Sequence, residues 1–339
     1  MMKRNPLATI GFIIPLFVMS TGFSTSTGQK SKDSHKGSSV PSGQNNQKSG
    51  DDAIKLESDL VTVDATVMDG KGNYVRDLKE EDFTVTEDGV PQQLAFFEST
   101  QHSGLTRPLA AVFDLDVSGS IQPQEIKKQR DAAESFLKLV RPESEFAVMT
   151  FNYRIRVVQN FTNDPHKFLA AFGKIEDPGG STRIFASIDQ AIQMLKRGPQ
   201  SKNGRLLRRV VVVITDGYDS VDSIEQDDMI RRANQAGVTV YSITLPSYLP
   251  GLGAKHRALT LLDASGVVKM TGGADFSADS EDFTPAFNAL AEEISSSYTL
   301  AFYPPNKDKH DGKVHQIKVQ VKRPGVQVKV DRQNYVAQR

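Results

Sequence analysis

Apolar and polar residues alternate over residues 55–105, and Asp-Gly turns interrupt the alternation twice. The stretch "DLVTVDATVMD" leads into the turn at Asp69–Gly70, and "DFTVTEDGVPQQLAFFE" contains the turn at Asp88–Gly89. Alternation with a period of two, broken by Asp-Gly turns, is typical of short antiparallel strands. We therefore predict an N-terminal β segment over residues 55–105.

A different pattern covers residues 106–297, where apolar strands alternate with amphipathic helices. The runs "LAAVFDLD", "EFAVMTFN", "RRVVVVITDG" and "VTVYSITL" are predicted strands, and "QPQEIKKQRDAAESFLKLV" and "IFASIDQAIQMLKR" have the helical period. A further strand near Val267–Thr271 and a last helix, "FTPAFNALAEEISSS", are also expected. This alternation predicts an α/β fold with a doubly wound, mostly parallel sheet flanked by helices.

Residues 298–337 return to strands, with "YTLAFYPP", "HQIKVQVKR" and "GVQVKVDR". Neither β segment is large enough to bury a core alone. We therefore predict that the N- and C-terminal β segments form one β-sandwich, into which the α/β domain is inserted. The alternative is two separate β pieces that each pack on the α/β domain.

The first residues have the pattern of an export signal. Lys3 and Arg4 precede the apolar run "LATIGFIIPLFVM", and small residues follow. We predict a signal peptide over residues 1–24, cleaved after Gly22 or Ser24, with an uncleaved anchor as the alternative. Residues 25–54 are too polar to bury a core and are a predicted disordered linker. A secreted, periplasmic or cell-envelope location follows, with no integral membrane span after signal removal.

Composition excludes several classes of function. Lys plus Arg and Asp plus Glu are 41 each, so no net charge attracts nucleic acid. The chain contains no Cys, which excludes disulfides, thiolate metal sites and Cys nucleophiles. It also lacks Gly-x-Ser-x-Gly, P-loop and His-Glu-x-x-His motifs. We expect the six His, and the basic residues of "LLRRVVVV" and "IKKQR", to lie at the surface.

Oxygen-bearing side chains lie directly after two predicted neighbouring strands and in a loop between these strands in the sequence. These residues are Asp116, Ser118, Ser120, Thr182 and Asp216. Gly119 is expected to let the chain curl so that the hydroxyls converge, and Gly179–Gly180 give the loop "DPGGSTRIF" backbone freedom. Such hard oxygens suit Mg²⁺, with Mn²⁺ or Ca²⁺ as alternatives. Neutral hydroxyls leave the ion's charge incompletely balanced, so an open coordination position would attract an Asp or Glu of a partner protein.

These residues resemble the metal-ion-dependent adhesion site of von Willebrand factor type A (vWA) domains, as in integrin inserted domains. The flanking segments, "VTVDATVMDGKGNYVRDLKEEDFTVTEDGVPQQLAFFE" and "YTLAFYPPNKDKHDGKVHQIKVQVKRPGVQVKV", resemble the bacterial VWFA-related acidobacterial domain family. The resemblance implies a vWA fold and a metal site that binds protein ligands. It does not specify a partner.

The chain departs from the vWA pattern at two positions. "GGST" has one more residue than the usual Gly-Gly-Thr, so Ser181 is an alternative ligand, although Thr182 aligns better with the start of the next helix. Asp114 replaces the usual apolar residue; on a strand it points the same way as Asp116, as a supporting group or on a polar rim. We take Asp114, Ser181 and Asp219 as candidate supporting groups around the ion.

Two other functions compete with partner binding through a metal. A haloacid-dehalogenase-like phosphatase would use Asp114 as nucleophile and Asp116 as general acid/base. It would also need a nearby Lys and a further strand ending in paired acids, but the strand "VTVYSITLPS" ends without acids. The Thr-apolar continuation that such enzymes have after the second Asp is also replaced here by Ser118-Gly119-Ser120. A non-adhesive scaffold or assembly factor of the cell envelope is the second alternative. We expect a binding protein and not an enzyme.

Overall fold

The computed structural model describes residues 60–99, 107–175, 178–218, 224–245, 259–305 and 311–337, which excludes the predicted signal peptide and linker. Helical segments in these ranges are the 3-10 turn Glu80–Asp82, α1 (Pro123–Leu137), α2 (Pro165–Phe172), α3 (Ile184–Arg197), α4 (Gln226–Ala236), α5 (Leu261–Ser265), α6 (Val267–Met270) and α7 (Thr284–Ser295). The strands are β1 (Val61–Asp69), β2 (Phe83–Glu87), β3 (Val90–Gln92), β4 (Leu94–Glu98), β5 (Leu109–Asp116), β6 (Glu145–Phe151), β7 (Ile155–Thr162), β8 (Ser201–Lys202), β9 (Arg205–Leu206), β10 (Arg208–Thr215), β11 (Val238–Thr244), β12 (Asp275–Ser277), β13 (Ser297–Phe302), β14 (Val314–Val321), β15 (Val326–Val330) and β16 (Asn334–Val336).

A six-stranded sheet forms the centre of the α/β unit. Its order is β12-β11-β10-β5-β6-β7, and all neighbouring pairs are parallel except β6 and β7. One core contains Phe113 with side chains of α1 and α7, and the other contains Val112 with side chains of α3 and α4. Burial on both faces explains why β10 is a continuous β-branched run. The predicted doubly wound, mostly parallel fold is confirmed.

The remaining large sheets form a sandwich with its own core. Their orders are β15-β1-β13-β4 and β16-β14-β2-β3. In the first sheet β1 pairs antiparallel with β13, and in the second β2 pairs antiparallel with β14. Each sheet therefore contains strands from before and after the α/β unit. Their inner faces share one apolar cluster that includes Val63, Val85, Leu300 and Ile317.

A buried ion cluster joins the α/β sheet to the sandwich. Arg208 begins β10, and its Nε lies 3.3 Å from Oδ2 of Asp64 on β1. Its guanidinium also donates to the carbonyl of Ile294 at 3.0 Å and to the hydroxyls of Ser297 at 2.6 Å and Tyr241 at 2.8 Å. The expectation that "LLRRVVVV" lies at the surface is therefore wrong for Arg208, because the carboxylate of Asp64 and these oxygens stabilise a cation that is only 4% exposed.

The surface expectation is also wrong for His315, whose side chain is 5% exposed. Its Nδ1 lies 2.8 Å from Oδ2 of Asp88, and its Nε2 lies 3.2 Å from Oδ1 of Asp311. The ring stacks on Tyr335 with 5.2 Å between the centroids. Two carboxylates and an aromatic ring thus make a buried position favourable for this imidazole.

The strand predicted near Val267–Thr271 is wrong, since this segment is helix α6. Gly266 takes a φ of 68°, which ends α5 and directs the chain into the next turn. The hydroxyl of Thr271 then donates to the carbonyl of Val267 at 2.9 Å. The outermost parallel strand is instead β12. None of the helices in the described ranges is both long and apolar enough to cross a bilayer.

Candidate metal centre

Asp116 and Asp216 lie at the same edge of the central sheet. β5 ends at Asp116, Asp216 follows β10, and these strands are parallel neighbours with Leu115 beside Ile214. The chain leaves β5 toward β6 on one side, whereas β10 and β11 lie on the other, so this edge is the switch point of the sheet. Ligands of open α/β sheets bind at such a position.

Asp116 is buried and held by neutral donors. The residue is only 1% exposed to solvent. The backbone N–H of Ser118 donates to Oδ1 at 2.8 Å, and the hydroxyl of Thr215 donates to Oδ2 at 2.6 Å. Burial raises the pKa of Asp116 to about 6, while the hydrogen bonds from Ser118 and Thr215 act in the opposite direction. The carboxylate is thus fixed in position with its charge incompletely stabilised.

The two serines after Asp116 come close together, as expected. The hydroxyls of Ser118 and Ser120 are 3.1 Å apart, with Ser118 buried and Ser120 exposed. Gly119 does not have a positive φ, and a Cβ there would lie 3.6 Å from the carbonyl oxygen of Gly180, an ordinary contact. The hydroxyls thus converge as expected, but Gly119 does not use a left-handed backbone conformation to bring them together. The hydroxyls converge through an arrangement that other residues can also adopt.

The loop that carries Ser181 and Thr182 is bonded directly to this turn. The N–H of Gly179 donates to the carbonyl of Val117 at 2.8 Å, and the N–H of Gly119 donates to the carbonyl of Gly180 at 3.1 Å. Thr182 is buried and Ser181 is half-buried. These bonds bring the predicted loop to the end of β5. Both residues remain candidate ligands.

Gly180 is a position where the loop requires glycine. Its φ is 84°, and a Cβ there would lie 2.5 Å from Cδ1 of Tyr153. The amide of Asn152 donates to the carbonyl of Gly179 at 2.8 Å. The loop between β6 and β7 therefore supports the loop that carries Thr182.

Asp216 is half-buried and contributes a second carboxylate. The N–H of Tyr218 lies 3.3 Å from its Oδ1. Gly217 has a φ of 84°, and a Cβ there would lie 2.6 Å from the hydroxyl oxygen of Thr260. The charge of Asp216 contributes to raising the pKa of Asp116. Two carboxylates thus share this edge, and a cation between them would relieve their repulsion.

Asp114 lies deeper in the same strand and is fully buried, so the alternative of a polar rim is wrong for it. The hydroxyl of Ser187 on α3 donates to its Oδ1 at 2.7 Å, and its Oδ2 has no hydrogen-bond partner among the described residues. Burial raises the pKa of Asp114 to about 7, against the lowering effect of the Ser187 hydrogen bond. Asp114 thus links β5 to the helix that follows the Thr182 loop. Asp219 lies outside the described residues.

The donor set at this edge fits a hard divalent cation. Within the described residues, no Lys, Arg or His is bonded to Asp116. Nor do three His, Cys, Asp or Glu side chains in these ranges form a metal-binding group. A cation here would depend on hydroxyl oxygens beside the carboxylates of Asp116 and Asp216. Carboxylate and hydroxyl oxygens are the ligands that Mg²⁺, Mn²⁺ and Ca²⁺ accept.

Sequence reasoning missed the residues that hold the site from behind. Thr215 precedes Asp216 and fixes Asp116, while Ser187 is one turn into α3 and meets Asp114. An inward hydroxyl at the end of a buried β-branched strand is the signal that identifies Thr215. No local signal identifies Ser187, because only the packing of α3 on β5 brings it to Asp114.

The family model described as von Willebrand factor type A domain matches residues 111–218. This match includes all the predicted ligands, and the sheet, the flanking helices and the site edge agree with it. The chain is a vWA-domain protein. Domains of this family commonly hold a divalent metal at this type of site and commonly mediate protein interactions.

Three similar proteins illustrate the extent of the match. Integrin alpha-X from Mus musculus is 30% identical over 135 residues, which are 39% of this chain and 12% of the integrin. The chain therefore spans a small part of that relative's length. The structure of von Willebrand factor type A from Catenulispora acidiphila covers 80% of this chain and 71% of its own, at 12% identity and a TM-score of 0.45. The structure of proximal thread matrix protein 1 from the mussel byssus, with a zinc occupied MIDAS motif, covers 57% of this chain and 47% of its own. The two are 14% identical, with a TM-score of 0.44.

Proposed function

We propose that this protein is exported and binds an acidic side chain of a partner protein through a divalent cation, with Mg²⁺ as the first candidate. The observation that carries the proposal is the environment of the Asp116 carboxylate. It is buried at the switch point, fixed by two hydrogen bonds, and next to hydroxyls instead of cations. A buried charge without a compensating charge is unfavourable, and an external cation would provide that charge.

Each proposed ligand has a distinct contribution. Asp116 and Asp216 supply negative charge, and three hydroxyls supply neutral oxygens. These hydroxyls belong to Ser118, Ser120 and Thr182, with Ser181 as the alternative to Thr182. Two carboxylates and neutral oxygens leave the ion able to attract a further anion. When bound, the cation would supply the positive charge that a partner's Asp or Glu recognises.

Asp114 supports the proposal that the protein is not a phosphatase. A nucleophilic carboxylate must reach the phosphorus atom of its substrate. Asp114 is fully buried, and its Oδ1 accepts a hydrogen bond from Ser187 on the adjacent helix. This environment favours a positioning role, in which Asp114 and Ser187 hold α3 against β5 and thereby support the Thr182 loop.

Calorimetric titration of Mg²⁺ and Mn²⁺ into the full chain tests the ion. We expect one binding event in wild type and none in Asp116→Ala. Asp131→Ala is the matched control, since Asp131 is an exposed carboxylate on α1. Equal heats from wild type and Asp116→Ala would refute the metal centre.

Capture of a partner from cell-envelope extract tests the binding function. We expect a protein that is retained by wild type in Mg²⁺, released by a chelator and not retained by Asp116→Ala. Retention that survives both the chelator and the substitution would instead support the scaffold function, with contacts away from the metal centre.

A further inference from the structure

A small cavity opens directly beside the proposed metal centre. Its volume is about 50 Å³. Since roughly 10–15 Å³ of such cavity space accommodates one water molecule, the cavity has room for a group of about the size of a carboxylate. Residues that matter for its chemistry are Val117, Asn152, Tyr153, Arg154, Arg156 and Lys174.

The cavity and the metal centre share one stretch of backbone. Val117, which lines the cavity, lies between the proposed ligands Asp116 and Ser118. Its N–H donates to the carbonyl of Phe151 at 2.8 Å, which joins β5 to the loop carrying Asn152. An extended peptide advances about 3.3 Å per residue, so residues near each other on one bound segment can occupy both places.

The described lining of the cavity is positively charged. It includes Arg154, Arg156 and Lys174, all of them exposed, and no described lining residue is acidic. Within the described ranges, neither Arg154 nor Lys174 forms an ion pair with a carboxylate. As far as the described residues are concerned, these two cations are available to an anion that enters the cavity.

Arg154 is also held in a defined orientation. Its guanidinium carbon lies 5.0 Å from the centroid of the Tyr153 ring, within the range of a cation–π contact. Its backbone N–H donates to the side-chain oxygen of Asn152 at 2.8 Å. Tyr153 in turn lies against Gly180 in the Thr182 loop. The cation thus belongs to the same packed set of loops as the metal centre.

We infer that the partner segment carries two acidic side chains, one that completes the metal and a second that enters this cavity and pairs with Arg154 and Lys174. The inference rests on the proposed function and makes it more specific, because it defines a doubly acidic peptide as the ligand. The small cavity favours single carboxylates over the extended phosphate backbone of a nucleic acid, which needs a wide basic surface.

The test uses a random-peptide display library, panned on the full chain in Mg²⁺ and eluted with a chelator. We expect the selected peptides to contain two acids separated by a few residues. Replacing the cavity-binding acid by its amide should weaken binding to wild type about tenfold, the effect of two partly exposed ion pairs.

The variant Arg154→Ala/Lys174→Ala should bind the doubly acidic peptide about tenfold more weakly than wild type does. Its affinity for the singly acidic peptide should be unchanged. The matched control is Lys196→Ala/Arg197→Ala, which removes the same charge at the C-terminal end of α3, away from the site. It should bind both peptides as wild type does. A comparable loss in the control would mean that overall charge, and not the cavity, attracts the peptide, which would overturn the inference.

Two further outcomes separate this inference from the proposed function. The first outcome is a set of peptides that require Mg²⁺ and Asp116 but contain only one acid, or that bind Arg154→Ala/Lys174→Ala as tightly as wild type. This outcome would overturn the inference and leave the proposed function standing. A screen that yields no peptide dependent on both Mg²⁺ and Asp116 would contradict the proposed function, and the inference with it.

Discussion

Two groups of buried aspartates in this protein have opposite surroundings. Asp64 and Asp331 lie where the sandwich meets the α/β sheet, and Arg208 and Arg107 each place a nitrogen 3.3 Å from Oδ2 of Asp64. Asp114 and Asp116 lie in β5, where their hydrogen bonds come from hydroxyls and a backbone N–H. The protein pairs Asp64 with two of its own cations and leaves Asp114 and Asp116 to neutral donors.

The pKa values reflect this difference. Burial alone would raise the pKa of Asp64, but Arg107 and Arg208 hold it below its ordinary value. Burial raises the pKa of the neighbouring Asp331 to about 6, although Arg332 acts in the opposite direction. The pKa of Asp116, which has no cationic partner among the described residues, is likewise raised to about 6 by burial. A carboxylate that the chain pairs with its own cations stabilises the fold. A carboxylate kept among hydroxyls at a ligand-binding edge is suited to an external cation.

The largest expected loss of stability follows from a substitution in the buried ion cluster. Arg208→Leu leaves Asp64 and Asp331 buried with reduced compensation, and we expect the free energy of unfolding to fall by about 3–5 kcal/mol in urea denaturation. Arg231→Leu, which removes an exposed arginine paired with Asp228, should cost less than about 1 kcal/mol. If both changes cost the same, the cluster does not stabilise the junction.

The next largest effect is the stabilisation of the fold by bound Mg²⁺, which should depend on the metal centre only. Mg²⁺ at a hundred times its Kd should raise the free energy of unfolding of wild type by about 2.7 kcal/mol. We expect this increment to disappear in Asp116→Asn and to persist in Arg208→Leu, measured by urea denaturation with and without chelator. An increment that survives in Asp116→Asn would place Mg²⁺ elsewhere.

A smaller effect concerns the support behind the site. Ser187→Ala removes the hydrogen bond to a fully buried Asp114 and should lower the free energy of unfolding by about 1–3 kcal/mol. The double variant Asp114→Val/Ser187→Ala removes both partners and should recover most of this loss. A double variant that is less stable than Ser187→Ala alone would show that Asp114 has a stabilising partner other than Ser187.

The smallest effect is a pH dependence in the sandwich. Burial lowers the pKa of His315, but Asp88 and Asp311 raise it more, so its pKa lies above the ordinary 6.5. Its contribution is therefore full below about pH 6.5 and is lost as the pH rises through the raised pKa. We expect a loss of up to about 1 kcal/mol, because Asp88 is half exposed and solvent screens the pair.

Urea denaturation between mildly acidic and alkaline pH measures this dependence. His315→Gln should remove it, whereas His166→Gln, a change at an exposed histidine, should keep it. Stability that increases through the same range in wild type would contradict the assigned direction.

Strong periodic patterns were sufficient to predict the elements that carry the site. The bounds of β5 and α3 follow from a continuous apolar run and from a clear helical period. A strand is the wrong prediction for Val267–Thr271, because two valines with a threonine three residues further on fit a strand as well as a short helix. Only the left-handed turn at Gly266 and the packing on β11 decide between them.

The candidate site could be predicted where its residues directly follow strands. Asp116 and Asp216 share an edge because parallel neighbours end together, and this required only the order of the strands. The surroundings could not be predicted, since the partners of Arg208 and Asp114 are brought together by packing between distant elements. Spacing along the sequence contains no information on which buried carboxylate meets a cation.

The most direct test of the metal centre is to count bound Mn²⁺ on the full chain by electron paramagnetic resonance. We expect one tightly bound Mn²⁺ per wild-type chain, displaced by excess Mg²⁺, and none in Asp116→Ala. The same number of bound ions in wild type and in Asp116→Ala would contradict the claim that this edge of the sheet is a metal centre.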